Sequence, residues 1–353
     1  MLRMTAQRIR PMLSKAEEEL PVGDGWRYEP KWDGFRAIVT RDEDGEVRID
    51  SRGDRPLGRY FPELMALLAA QPPATYVMDG EILMIVHGVM DFETLQLRLH
   101  PAASRVNKLA SEIPSTFVAF DVLERDGRDL RSLNTDERRD ELEALIEHLG
   151  GEFPPDSPAG LHPGPALILT PQTGDPDVAR RWFADVDGVG QDGIVAKRAE
   201  QRYVEGERVM VKVKHHRTAD CVVGGYRLER SGDGVGSLLL GLYDGEGTLQ
   251  YVGHTSAFRA KERRELRETL EPLVGGSSFG EGRSPGGPSR WSAGRSTDWV
   301  SLEPKLVCEV RYERLQGGRF RHSASVIRWR TDRDPQSCTF EQLEAGRPPD
   351  AIP

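Results

Sequence analysis

Cysteine is scarce. The 353 residues hold three, Cys221, Cys308 and Cys338, with no CxxC pair and no Cys/His spacing. That excludes a disulfide frame and a zinc site, and it fits reduced packing thiols in a cytosolic protein. Long apolar runs are missing too. No stretch approaches the roughly 20 residues of a membrane span. The opening MLRMTAQRIRPMLSKAEEELP lacks the apolar centre of a secretory signal. Net positive charge is also absent: 48 Lys+Arg stand against 57 Asp+Glu, for −9. A uniformly basic coat for a polyanion is therefore ruled out, and any nucleic-acid contact has to be local.

What is present is a globular composition, 37% hydrophobic and 30% charged. The length exceeds one ordinary core, so two domains are expected. Charge is uneven along the chain. Residues 1–204 carry 25 Lys+Arg and 36 Asp+Glu, and residues 205–353 carry 23 and 21. From Arg311 to Arg333 seven arginines face only Glu313 and Asp332. This stripe is either a phosphate-contacting surface or a solvated strand face.

Residues 26–123 read mainly as strands, FRAIVTR, VRIDSR, YVMDGEILMIV and STFVAFDVLER, with a helical pattern in FPELMALLAAQ. TDERRDELEALIEHLG reads as a helix capped by Thr135 and stopped at Gly150, DPDVARRWFADVDGVG as a helix ended by glycines, and DGIVAKR and VMVKVKHH as strands. After HHRTAD the texture becomes five short strands and one helix, AFRAKERRELRETLEPL, which fits a small barrel of the OB type. The fold class is therefore α+β: a domain over 1–214 with antiparallel sheets and helices, then an OB-fold β-barrel domain over 215–353. The barrel domain contains a Gly/Ser/Pro-rich loop at 275–297, around Trp291, and a flexible C-terminal tail.

Charged residues repeatedly interrupt the apolar strands of the first domain. Lys31, Asp33 and Gly34 stand at the lip of FRAIVTR, Arg52 ends the next hairpin in SRGD, and Glu81 lies inside MDGE. Phe120 and Asp121 lie in FVAFDVL, Asp192 follows a glycine turn, and Lys212 and Lys214 share one strand face. Taken singly, each has an ordinary explanation: a snorkelling lysine, a turn aspartate, a core phenylalanine. Together they amount to many buried charges, which are costly unless they pair with one another or with a charged ligand. Such a set fits a polyphosphate and metal pocket. A lysine there is either a point charge for phosphate or a nucleophile. As a nucleophile it must lose its proton, which desolvation and neighbouring cations favour.

KWDGFR resembles the Lys-x-Asp-Gly-x-Arg signature of covalent nucleotidyltransferases. SRGD, MDGE, AFDVL, DGIVAK and VKVK follow in the order of that superfamily's further motifs, and RWRTDRDP is similar to the motif that closes the series in DNA ligases. VKVKHHRTAD and RHSASVIRWR resemble the small actinobacterial ligase C type. The resemblance implies a nucleotidyltransferase (ATP-grasp-like ligase) domain and ATP-dependent sealing of 5′-phosphate/3′-hydroxyl nicks in double-stranded DNA, a DNA repair reaction. It makes Lys31 the residue that carries AMP. It puts Glu29 on the adenine amino group, Phe120 against the adenine ring, Arg36 and Glu81 on the ribose side, and Arg52 on a phosphate at the nick. Glu81 and Asp192 would hold Mg²⁺ (or Mn²⁺), Lys212 and Lys214 the α-phosphate, and Arg330, Asp332 and Arg333 the leaving pyrophosphate.

Three positions depart from the pattern: Asp192 stands for Glu, Arg333 for Lys, and VMV precedes KVK without an aromatic residue. The alternatives are an RNA ligase, a GTP-using capping guanylyltransferase, or a non-catalytic nucleic-acid-binding module on the same scaffold. The expected protein is a cytoplasmic monomer, associated with the nucleoid when bound to DNA, with no membrane partner and no additional DNA-encircling domain.

Overall fold

The structure, a computed structural model, describes residues 9–153, 161, 163–184, 191–229, 232–279, 285 and 298–344. Most of the expected loop around Trp291, the last nine residues of the tail and the glycines expected to end the helix after Trp182 lie outside the described residues. The chain divides into two compact units, 1–215 and 216–353.

The first unit holds two sheets. The larger contains β3 (Phe35–Arg41), β4 (Val47–Ser51), β5 (Tyr76–Val86), β6 (Val89–Met90), β7 (Ser115–Arg125), β8 (Arg128–Asp129) and β9 (Ala166–Leu169). Its order is β4-β3-β5-β7-β8, with β6 hairpinned onto β5 and β9 parallel to β7. The smaller sheet runs β1 (Leu13–Glu17), β11 (Arg208–Lys214), β10 (Gly193–Arg198), β2 (Trp26–Lys31).

Alternation along these strands decides what faces what. Phe35, Ala37 and Val39 of β3, Met78 and Ile82 of β5, and Phe117 and Ala119 of β7 face helices α1 (Pro62–Ala69), α2 (Phe92–Leu97) and α4 (Thr135–His148) in one large core. Helix α3 (Ala103–Glu112) lies beyond α1. In the small sheet, Trp26, Tyr28, Ile194, Ala196, Val211 and Val213 pack on Ala179 and Trp182 of α5 (Pro176–Ala184). The remaining faces of the two sheets turn toward each other. At one end they are joined by an apolar cluster in which Ile38, Val77 and Leu123 meet Tyr203 and Met210, with Val195 packed against it. At the other end lie the charges.

Helix α4 begins one residue earlier than its sequence indicates. Asn134, not Thr135, is the N-cap, and it shares a capping box with Glu137. The Thr135 hydroxyl instead donates to the Gln201 carbonyl at 3.0 Å. Asparagine caps as well as threonine, and Thr135 has a better use one position on.

In the second unit, β12 (Arg217–Leu228), β13 (Val235–Tyr243), β14 (Leu249–Thr255), β16 (Val307–Tyr312) and β19 (Ser325–Trp329) run in the order β14-β13-β12-β16-β19. A parallel bridge between Thr255 and Ala324 closes the barrel. Helix α6 (Ala260–Leu270) falls between β14 and β16, the OB arrangement. A short strand β15 (Val300–Ser301) on β12, a hairpin of β17 (Leu315–Gln316) and β18 (Arg319–Phe320), and a terminal helix α7 (Glu341–Glu344) complete it. The three cysteines are free and buried here, Cys221 directly across from Cys308. Among the described residues no helix is long and apolar enough to cross a membrane.

Candidate active site

Strand β2 belongs to the small sheet and β3 to the large one, and only Trp32, Asp33 and Gly34 separate them. Lys31 is thus the last residue before the chain crosses between sheets, which is why a lysine, a carboxylate and a glycine stand at the lip of an apolar strand. Gly34 is needed for the crossing. A Cβ there would lie 2.1 Å from the Ile82 carbonyl oxygen. Without one, the Gly34 N–H donates to Glu81 Oε1 at 3.1 Å.

Cross-strand register gathers the lysines. Gly193 pairs with Lys31 on one side and Lys214 on the other, and Val195 pairs with Glu29 and Lys212. Directly opposed residues share a face. Gly193 (φ +143°) admits the close approach of β11, since a Cβ would sit 2.0 Å from the Val213 carbonyl oxygen. Asp192 follows from this row. Its N–H donates to the Lys31 carbonyl at 3.0 Å. Its Oδ2 lies 2.6 Å from Lys31 Nζ and 3.0 Å from Lys214 Nζ. Burial pushes this carboxyl up, but the two ammonium groups outweigh it and hold it below the usual carboxylate range.

Facing this row, the large sheet presents Glu81, Arg36, Asp79 and Phe120. Burial drives the Glu81 carboxyl up to about 7, against the pull of Lys31, Arg36 and the Gly34 N–H. Arg36 grips the fully buried Asp79 through two hydrogen bonds, 3.0 and 2.7 Å, and the Tyr203 hydroxyl donates to the same carboxylate at 2.6 Å. Phe120 is an extra residue. The β5–β7 register slips at Asp79/Gly80, so that Asp121 and Ala119 pair but Phe120 does not. Such a bulge re-aims a side chain. The ring lies within 5.3 Å of the Arg36 guanidinium and 5.2 Å of Lys197 Nζ. Next to it, Asp121 is locked to Arg138 of α4 at 2.7 and 3.0 Å.

Glu29 sits on the face of β2 that carries Lys31. Its carboxylate is held by Lys197 Nζ, 3.0 Å from Oε1 and 2.8 Å from Oε2, and by Gln172 Nε2, 2.8 Å from Oε1. Lys212 is half-buried on the lysine row, and Arg52 is exposed in the turn after β4, where its N–H donates to the Arg36 carbonyl.

In the barrel unit, Arg330 is clamped. Two of its nitrogens donate to Asp332 (2.9 and 2.8 Å), and the third donates to both oxygens of Asp220 (3.0 and 3.1 Å). Arg330 holds the Asp332 carboxyl down at about 2. Arg333 approaches Asp220 at 3.6 Å, and Arg328 pairs with Glu309 at 2.6 Å. Arg328, Arg330 and Arg333 of the stripe are therefore paired with carboxylates of their own unit.

A sequence profile of the ATP dependent DNA ligase domain matches residues 3–214, and one of the ATP dependent DNA ligase C terminal region matches residues 231–333. The chain belongs to the ATP-dependent DNA ligases. Both profiles are those of DNA ligases, which answers the alternatives of an RNA ligase, a capping enzyme and a binding module. The ligase is 46% identical to DNA ligase C2 of Mycolicibacterium smegmatis over 96% of this chain and 94% of that protein. It is 45% identical to DNA ligase C of Mycobacterium tuberculosis over 95% and 94%. It is therefore of the ligase C type. Among solved structures, a Lig E DNA ligase shares its fold, with a TM-score of 0.56 and 19% identity over 90% of this chain and 99% of that one.

The residues present in the ligase fit ATP and a divalent cation. Lysines suited to phosphate form one row, and a hydrogen-bonding carboxylate and an aromatic ring share the Lys197 ammonium beside it. A buried carboxyl raised to about 7 is a donor whose charge a cation would restore. Among the described residues no group of three or more acidic, histidine or cysteine side chains could hold a metal by itself. Three residues that contact the expected site residues escaped the sequence reading. Lys197 stood at the end of DGIVAK, four residues past Gly193 on the same strand face, and that spacing could have found it. Gln172 and Asp220 left no local signal.

Proposed function

We propose that Lys31 is the nucleophile of a lysyl-AMP mechanism by which this ligase seals nicks in double-stranded DNA. The observation that carries the reading is the convergence of Lys31 and Lys214 on Asp192 where the chain passes between the sheets. Lys31 Nζ attacks the α-phosphorus of ATP. A P–N bond forms, the bond to the β-phosphate oxygen breaks and pyrophosphate leaves. Nζ gives up its proton to solvent, and Asp192 Oδ2, its partner at 2.6 Å, holds the amine in place. The AMP then passes to the 5′-phosphate oxygen at the nick, and the 3′-hydroxyl displaces it. Little covalent work is asked of other side chains, because phosphoryl transfer is governed by positioning and charge neutralisation.

In this reading Lys212 and Lys214 neutralise the α-phosphate, Glu29 and Phe120 take the adenine, Arg36 lines the ribose side, and Arg52 meets a phosphate at the nick. Glu81 and Asp192 would hold Mg²⁺ (or Mn²⁺), which supplies charge for the phosphate oxygens. Arg330, Asp332 and Arg333 serve the pyrophosphate step, so the barrel unit has to reach the first domain then and turn to DNA afterwards, about the link near His215. The Arg330 clamp gives this group a definite form: Asp220 and Arg330 position Asp332. The protein acts as a cytoplasmic monomer in DNA repair.

The test is sealing of a nicked duplex by purified protein with ATP or GTP, on DNA and on RNA nicks. Sealing of DNA with ATP, lost in Lys31→Ala, supports the reading. Labelling by GTP alone, or sealing that survives Lys31→Ala, overturns it.

A further inference from the structure

The Glu29 carboxylate offers four lone-pair positions. Oε1 accepts from Gln172 Nε2 and Lys197 Nζ, and Oε2 is in contact with the same ammonium. One acceptor position therefore remains, on Oε2. The group is 3% exposed and its lysine 2%, so neither is a surface pair. Lys197 also donates to the Phe120 carbonyl at 3.0 Å and lies 5.2 Å from the Phe120 ring centroid. One ammonium thus fixes both walls of the same corner: the ring on one side, the carboxylate on the other.

We propose that Lys197 and Gln172 are positioning residues that set nucleobase selectivity, by leaving Glu29 a single open acceptor directed at the base edge. The inference rests on the reading that places Glu29 and Phe120 at the adenine. A carboxylate with its other lone pairs engaged can only accept a hydrogen bond. It welcomes the exocyclic amino group of adenine and repels a carbonyl at the same ring position. Gln172 and Lys197 also stop Glu29 from turning away, since both would lose their partner in a buried place. Discrimination by a site built to pair one donor exceeds what ring shape alone gives. The cations beside Phe120 hold the ring but do not distinguish purines.

The experiment measures kcat/KM for covalent labelling of the full-length protein with ATP and with inosine triphosphate, which carries a carbonyl where ATP carries its amino group. Wild type, Glu29→Ala, Gln172→Ala and Lys197→Met are compared. The preference for ATP should collapse in Glu29→Ala. In Gln172→Ala and Lys197→Met it should fall by at least about tenfold, through a raised KM for ATP and with far less change for inosine triphosphate. Equal loss for both nucleotides, the mark of a merely structural role, overturns the inference while leaving Glu29 at the base. An unchanged preference in Glu29→Ala overturns the base-edge reading, and the inference falls with it. Thermal unfolding is followed alongside. If Lys197→Met fails to fold, Gln172→Ala, whose half-buried side chain makes one bond to Glu29, decides the matter.

Discussion

Lys31 Nζ and Asp192 Oδ2 lie 2.6 Å apart, and the same oxygen serves Lys214 at 3.0 Å. The carboxylate stands between two amines that would otherwise repel. Replacing it by an amide, Asp192→Asn, keeps the shape and removes the charge. The expected result is a fall on the order of 100-fold in the rate of enzyme–AMP formation, from loss of a preorganised charge beside the nucleophile. Rapid-quench labelling with ATP measures it, with circular dichroism to show that the sheets persist. A rate within a factor of about two of wild type would remove Asp192 from the mechanism.

The Asp121–Arg138 pair ties β7, and with it Phe120, to helix α4. Burial alone would raise the Asp121 carboxyl, but Arg138 outweighs it and holds the group below its ordinary 3.8. A depressed folded-state value stabilises the protein above the unfolded value and loses that contribution as pH falls through the folded one. Breaking such a buried pair costs about 3–5 kcal/mol. Asp121→Asn should therefore lower the urea midpoint strongly at pH 7, and the gap from wild type should narrow as the pH is taken below 3.8. A gap independent of pH would show that the pair's charge contributes nothing.

Asp332 is exposed yet immobilised by Arg330, which Asp220 holds in turn. If this group serves only the pyrophosphate step, Asp332→Ala and Asp220→Ala should slow enzyme–AMP formation by about 10-fold to 100-fold. Both should seal a duplex whose nick already carries 5′-AMP at close to the wild-type rate. Gel assays of the two substrates separate the steps. Equal loss on both substrates would place the group at DNA.

Much of the candidate site could be assembled from the sequence because its parts are local. KWDGFR, DGIVAK and VKVK each sit at a strand end, and the strand face of Lys212 and Lys214 follows from spacing alone. How these parts come together was not legible, because it depends on β2 and β3 belonging to different sheets, which only long-range pairing decides. Partners of buried charges escaped for the same reason. Asp79 takes Arg36, and Glu29 finds Lys197 across 168 positions. The barrel was read from its turn signals and the helical pattern of AFRAKERRELRETLEPL. Its closure between Thr255 and Ala324 is a parallel bridge, which no hairpin spacing announces. Thr135 was misplaced by one residue because Asn134 caps equally well.

The most direct measurement is peptide mass mapping of protein incubated with ATP and a divalent cation, without DNA. The account requires one adenylyl group, carried on the peptide containing Lys31, absent from Lys31→Ala and discharged on adding pyrophosphate or nicked DNA. An adenylyl group on any other residue, or undiminished labelling of Lys31→Ala, would contradict it.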